Sequence, residues 1–186
     1  MGMDVTSASK TRFTKPVALD GVGESDARVA AIYASHYQRL VGLASMLAGG
    51  RAIGEELAQE TFMVALQNER RKPGYLKDPV WPWLRITVVR LAGHFHRRLL
   101  REILSNFGQN DTDTSQAGRV ESIDVLRALR RLPSKMRLCV ILVHVEDQST
   151  ASIATMLGCS TQNVDSQLRK GRERLRTILG EDYNNQ

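Results

Sequence analysis

At 186 residues and a net charge of +6, the chain has room for one domain or two small ones, each with a modest core. The surplus of cations favours an anionic partner: nucleic acid, an acidic protein or a charged membrane surface. Two cysteines, Cys139 and Cys159, show neither metal-ligand spacing nor a disulfide framework and suit reduced, packed thiols in the cytoplasm; no apolar run reaches the length of a membrane span and no secretory signal is evident, so membrane insertion is not expected.

Residues 1–26 are rich in Ser, Thr, Gly and Lys and lack periodicity, which predicts a disordered tail. From Ala27 to Leu47 apolar residues recur at helical spacing (Tyr33, Tyr37, Leu40, Ala44, Leu47), and Gly49-Gly50 ends that helix. A second helix is predicted from Ile53 to Asn68. Ala58, Thr61, Phe62 and Ala65 share one side of it; Glu56, Gln59, Glu60, Met63 and Gln67 share the other. An acidic, amide and methionine surface is poorly suited to DNA and well suited to a protein partner carrying basic residues.

"ERRKPGYLKDPVWP" holds three prolines and a glycine and is predicted to be a loop. It brings Arg70, Arg71, Lys72, Tyr75 and Lys77 close to Trp81 and Trp83. Cations interleaved with aromatic rings suit single-stranded nucleic acid, whose phosphates take the charge and whose bases stack on the rings. Trp83 is assigned to the core and Tyr75 to base contact; Trp81 fits either role. The helix predicted from Trp83 to Leu104 has one apolar face (Leu84, Val88, Leu91, Ala92, Phe95, Leu99) and one basic face (Arg90, His94, Arg97, Arg98, Arg101, with Thr87). Glu102 is its single acid. A merely solvated face mixes signs, so this stripe points to phosphate contact.

Ser105 to Arg119 is polar and reads as a flexible linker. A helix over Val120–Arg131, a break at Pro133 and a helix to Val145 follow. Ser149 is a candidate N-cap for Thr150–Leu157, and Ser160 for Thr161–Leu179. On a wheel of the last helix, Val164, Leu168, Gly171 and Leu175 share one face, and Gln162, Asn163, Ser166, Arg169 and Lys170 lie opposite, flanked by Arg172 and Arg176. Amides pair with adenine, arginine with guanine, and flanking cations with phosphate. Ala154, Gly158 and Val164 have the spacing of a helix-turn-helix: a small residue at the crossing, a glycine in the turn, a shared core residue. No stretch alternates at period two. The expectation is an all-α chain of two small helical domains joined by a flexible linker: tail 1–26, first domain 27–104, linker 105–119, helix-turn-helix domain 120–180 and tail 181–186.

Three stretches together resemble one family. "EELAQETFMVAL" is similar to the core-polymerase-binding helix of sigma-70-type sigma factors, "WPWLRITVVRLAGHFHRR" to their minus-ten recognition and melting helix, and Leu126–Arg176 to their minus-thirty-five-binding domain. The resemblance runs from about Ala27 to Leu179 in the family's order. With only a linker between the two domains, the layout resembles the extracytoplasmic-function group. It implies a non-catalytic subunit without a cofactor or metal, partnered by core RNA polymerase, promoter DNA and an anti-sigma factor. Glu56, Gln59, Glu60 and Met63 would meet polymerase. Arg70, Arg71, Lys72, Tyr75, Trp81, Arg90, His94, Arg97 and Arg98 would meet the minus-ten element, the loop capturing a flipped base. Ser160, Thr161, Gln162, Asn163, Ser166, Arg169, Lys170 and Arg172 would meet the minus-thirty-five element. The family often has Asp at Glu56, Asn and Asp at Arg90 and His94, and basic residues at Asp165 and Gln167, which leaves the promoter sequence open. A stand-alone helix-turn-helix regulator would explain the C-terminal domain but not the acidic face of Glu56. A metal enzyme built on His94 and His96 is excluded because residues two apart on a helix point about 200° apart.

Overall fold

The computed structural model describes residues 23–105 and 123–184, giving the course of the helix alone for 99–105, 123–124 and 181–184. Most of the expected tail and linker, and the side chains of Leu99 and Arg101, therefore lie outside the described residues. The described chain is all-α: α1 (Glu24–Ala48), α2 (Arg51–Arg71), α3 (Trp81–Ser105), α4 (Ile123–Arg131), α5 (Ser134–His144), α6 (Thr150–Leu157) and α7 (Thr161–Asn184).

Helix ends moved where charge or proline extends a helix beyond its apolar stripe. α1 starts at Glu24 rather than Ala27, with Glu24 and Asp26 in a first turn whose partial positive charge suits them. α2 runs on to Arg71, where two arginines meet the negative end of the helix. α3 begins at Trp81, with Pro82 in a first turn that needs no amide hydrogen there. α7 continues to Asn184, past the expected end at Leu179. Ser149 caps α6 as expected, its side chain accepting from the Ser152 N–H.

α1, α2 and α3 pack together through Leu40, Leu43, Leu47, Leu84, Val88 and Val89, all buried. Each such side chain contributes about 1.5–3 kcal/mol relative to an exposed one. In the second half α7 crosses α5 at Gly171, where a Cβ would stand 2.9 Å from Val140 Cγ2; the bare backbone permits the approach. Cys139 is buried in α5 and its thiol is pushed up to about 11 by burial and by nearby Cys159, which makes it a packing residue.

The two halves are not held apart. α1 touches α4 and α5, α3 touches α6, and the buried apolar residues of both halves form one continuous cluster. Arg137 of α5, buried, donates through Nε to the Leu47 carbonyl at 3.1 Å, and its Nη2 lies 3.3 Å from His96 Nε2. His96 Nε2 also lies 3.1 Å from that carbonyl. Burial, with Arg137 alongside, lowers the imidazole's pKa despite the Leu47 contact.

Candidate nucleic-acid interface and partner face

The outer side of α2 carries the expected acidic face. Glu56, Gln59, Glu60, Met63 and Gln67 are all exposed, and Ala58, Thr61, Phe62 and Ala65 are buried behind them. Phe62 packs against Tyr33, ring centroids 4.8 Å apart, and Tyr33 stacks on Tyr37 at 4.5 Å. Periodicity put Tyr33 with the α1 core residues, but it is 41% exposed, because its ring closes the top of an aromatic stack rather than entering the core. Exposed Met63 and Tyr33 thus put apolar surface beside the acids.

Below this face the chain makes a built loop. Glu69 is buried, and its carboxylate accepts from the Gly74 N–H at 2.7 Å (Oε1) and the Leu76 N–H at 3.0 Å (Oε2). Arg28 stands 3.7 Å from Oε1 and donates to the Leu76 carbonyl. Burial alone would raise the Glu69 pKa; the backbone donors and Arg28 together outweigh it, leaving the carboxyl below its ordinary value. Tyr75 sits between the two residues so held, exposed, its ring edge-on to Trp83 at 6.1 Å. Leu76 is fully buried beneath it. Sequence reasoning missed Glu69; its signal was an acid placed directly before a cationic turn.

The other expected loop residues are distributed differently. Arg70 and Arg71 stand in the last turn of α2, not in the loop. Arg70 is tied to Asp26 of α1 by two hydrogen bonds, 2.6 and 2.7 Å, and the pairing lowers the Asp26 pKa. Lys72 and Tyr75 are exposed. Trp81 is 8% exposed, with Arg39 3.8 Å above its ring and His36 6.0 Å away. Of the two roles open to Trp81 the structure gives the buried one: Arg39 covers its ring, and its indole N–H donates to Glu146 at 2.8 Å.

On α3, Arg90, His94, Arg97 and Arg98 are exposed, while Leu84, Val88 and Ala92 are buried behind them. The basic stripe and the acidic face of α2 thus belong to one packed three-helix unit and have opposite signs.

In the second half, α6, the turn and α7 form the expected helix-turn-helix. Gly158 turns with φ +64, a conformation that side chains with a Cβ rarely adopt. Ala154, Val164, Leu168 and Gly171 are buried. Ser160, Thr161, Gln162, Asn163, Arg169, Lys170 and Arg172 are exposed, and Ser166 is half-buried. The Ser160 hydroxyl accepts from the Asn163 N–H at 3.3 Å, so it caps α7 and orients the first turn. Arg169 pairs with Glu173 at 3.1 Å, and Arg172 reaches His144 Nε2 at 3.2–3.3 Å. Both guanidiniums are thereby held along the helix surface.

Comparisons with known proteins meet this geometry. A model of the family described as Sigma-70, region 4 matches residues 122–175. The chain is 30% identical over 154 residues to the ECF RNA polymerase sigma factor SigE of Mycolicibacterium smegmatis, covering 77% of this chain and 58% of that one. It is 28% identical over 157 residues to the RNA polymerase sigma factor CarQ of Myxococcus xanthus, covering 81% and 88%. The chain thus spans little over half the length of SigE and most of CarQ. In fold it is similar to the sigma factor RpoE of Bartonella quintana, solved in complex with the anti-sigma factor NepR, with a TM-score of 0.61, 21% identity, and 82% of this chain and 97% of that one covered.

Proposed function

Because the chain belongs to the extracytoplasmic-function group of sigma-70-type sigma factors, we propose that it binds core RNA polymerase, directs it to specific promoters and promotes melting at initiation. The observation that supports this best is the pairing, on one three-helix unit, of an exposed acidic α2 face with an exposed basic α3 stripe. Surfaces of opposite sign serve partners of opposite sign. Glu56, Gln59, Glu60 and Met63 dock on basic polymerase surface, and Arg90, His94, Arg97, Arg98 and Lys72 follow the phosphates of the minus-ten element. Tyr75, presented between two anchored backbone amides, captures an unstacked base. The first turns of α7 read the minus-thirty-five element through Gln162, Asn163 and Arg169, with Lys170 and Arg172 on phosphates.

The protein acts in the cytoplasm as a non-catalytic subunit, and polymerase supplies the chemistry. No helix among the described residues is long and apolar enough to cross a membrane. An anti-sigma factor is the further proposed partner, by analogy with the Bartonella complex. Two promoter elements about two DNA turns, or roughly 70 Å, apart lie beyond the reach of two halves packed on one core, so the halves separate on the promoter. A stand-alone regulator is the less favoured reading, since it leaves the acidic face without a role. Footprinting with and without core polymerase tests the choice. Protection of two elements only when core is present is expected; equal protection by the chain alone would favour the regulator.

A further inference from the structure

The contact between the halves is centred on one carboxylate. Glu146 follows α5, and its side chain is only 4% exposed. Its Oε2 accepts from the Trp81 indole N–H at 2.8 Å and from Arg85 Nη1 at 3.3 Å, and lies 3.7 Å from Arg39 Nη2. All three partners belong to α1 and α3, so the acid comes from one half and its socket from the other. The socket holds two guanidiniums against one negative charge. Moreover, Arg85 Nε is buried with no hydrogen-bond partner. A buried donor without an acceptor is uncommon and costly. Two guanidiniums and an indole N–H offer more donors than a single carboxylate oxygen uses, and such donor sets suit a phosphate's several oxygens. The socket also opens α3, the helix that carries exposed Arg90: Arg85 stands about one and a half turns before it and Trp81 about two and a half.

We propose that Arg39, Trp81 and Arg85 form a phosphate site for a nucleic-acid strand, and that Glu146 is its internal competitor, filling the site while the halves are closed and leaving it when they part. The proposal rests on the reading of α3 as a nucleic-acid face. It gives Trp81 a polar role through its N–H in place of stacking. It also couples two events: a phosphate entering the socket removes a contact that holds the halves together, and separation frees the socket. Linkage requires each to favour the other.

The test uses the full chain without polymerase, so that a failure here is distinct from a failure of the sigma-factor reading. Anisotropy of a labelled, mixed-sequence single strand of about 20 nucleotides is followed over a range of salt, with circular dichroism as a check on folding. Glu146→Gln keeps the side chain's size and one acceptor but removes the competing charge. Binding about tenfold tighter is expected, since a larger fraction of the chain is competent. Glu146→Asp, which withdraws the carboxylate by one methylene, should tighten binding less; it serves as the second variant should Glu146→Gln fold poorly. In either background Arg39→Gln should weaken binding and make the log–log salt slope shallower by about 0.7, the amount for one single-strand phosphate. Unchanged or weaker binding by the folded Glu146 variants, or no binding by any form, overturns the competition. Tighter binding with no effect of Arg39→Gln on affinity or slope overturns the phosphate site and leaves Glu146 as a plain interdomain contact. A socket reserved for a protein carboxylate would leave DNA affinity unchanged throughout, which also overturns the proposal.

Discussion

Replacing Glu69 with Gln should loosen the loop that presents Tyr75 without unfolding the helices. Glu69 holds Gly74 with one oxygen and Leu76 with the other. A glutamine has one oxygen and one NH2, so it can satisfy only one of the two N–H groups; the other meets a donor. The Leu76 site is buried and the Gly74 site half-exposed, so the amide should turn its oxygen to Leu76 and leave Gly74 to water. The loss is then about one hydrogen bond to a charged group, 1.5–3 kcal/mol, with the weak Arg28 attraction gone as well. By 1.4 kcal/mol per factor of ten, loop opening should rise about tenfold to a hundredfold. Hydrogen exchange at the Gly74 amide reads this directly, with amides of α1 and α2 as internal controls. In holoenzyme the same variant should transcribe poorly from duplex promoters and recover on a pre-melted template. The sign of the pH effect follows from the lowered Glu69 pKa. Its stabilising contribution is present above the ordinary glutamate value of 4.5 and is lost as pH falls through the lower folded-state value, so protection should not change between neutral pH and about 5. Gly74 protection equal to that of the native chain would refute the argument that Glu69 organises this loop.

Other expectations follow from the remaining faces. Glu56→Lys with Glu60→Lys should abolish co-purification with core polymerase while circular dichroism stays native; unchanged co-purification would remove the α2 face from the polymerase contact. Arg169→Ala should relax sequence preference at one upstream position by about tenfold to a hundredfold, whereas Arg172→Ala should weaken binding to all sequences and flatten the salt dependence by about one phosphate. The same response from both across a promoter library would contradict that division. Tyr75→Ala should spare the closed complex and impair opening, as read by permanganate footprinting, with a pre-melted bubble restoring much of the activity; normal opening would move base capture elsewhere in the loop.

What the sequence made legible was local. The helix-turn-helix followed from Ala154, Gly158 and Val164, three positions within one turn and its flanks, each fixed by a steric demand. The two sides of α2 followed from helical periodicity alone. Helix ends were less legible at α1, α2 and α3, because Glu24, Arg71 and Pro82 extend helices through charge and backbone geometry rather than apolar spacing. Long-range pairs were not legible at all. Glu146 and Trp81 are 65 residues apart, and neither residue's neighbourhood names the other. Arg137 carried no signal in the sequence, yet it is buried against the end of α1, where it joins the two halves. Tyr33 had core spacing and ended exposed, since periodicity assigns a face and does not say how far the neighbouring helix covers it.

The most direct test of the central claim is single-round run-off transcription with core RNA polymerase over a library of genomic promoters. The account predicts that core alone starts at none of a specific subset and that adding this chain yields discrete transcripts from that subset, lost with Glu56→Lys and Glu60→Lys together. Transcript patterns identical with and without the chain, under conditions where a known sigma factor directs initiation, would contradict it.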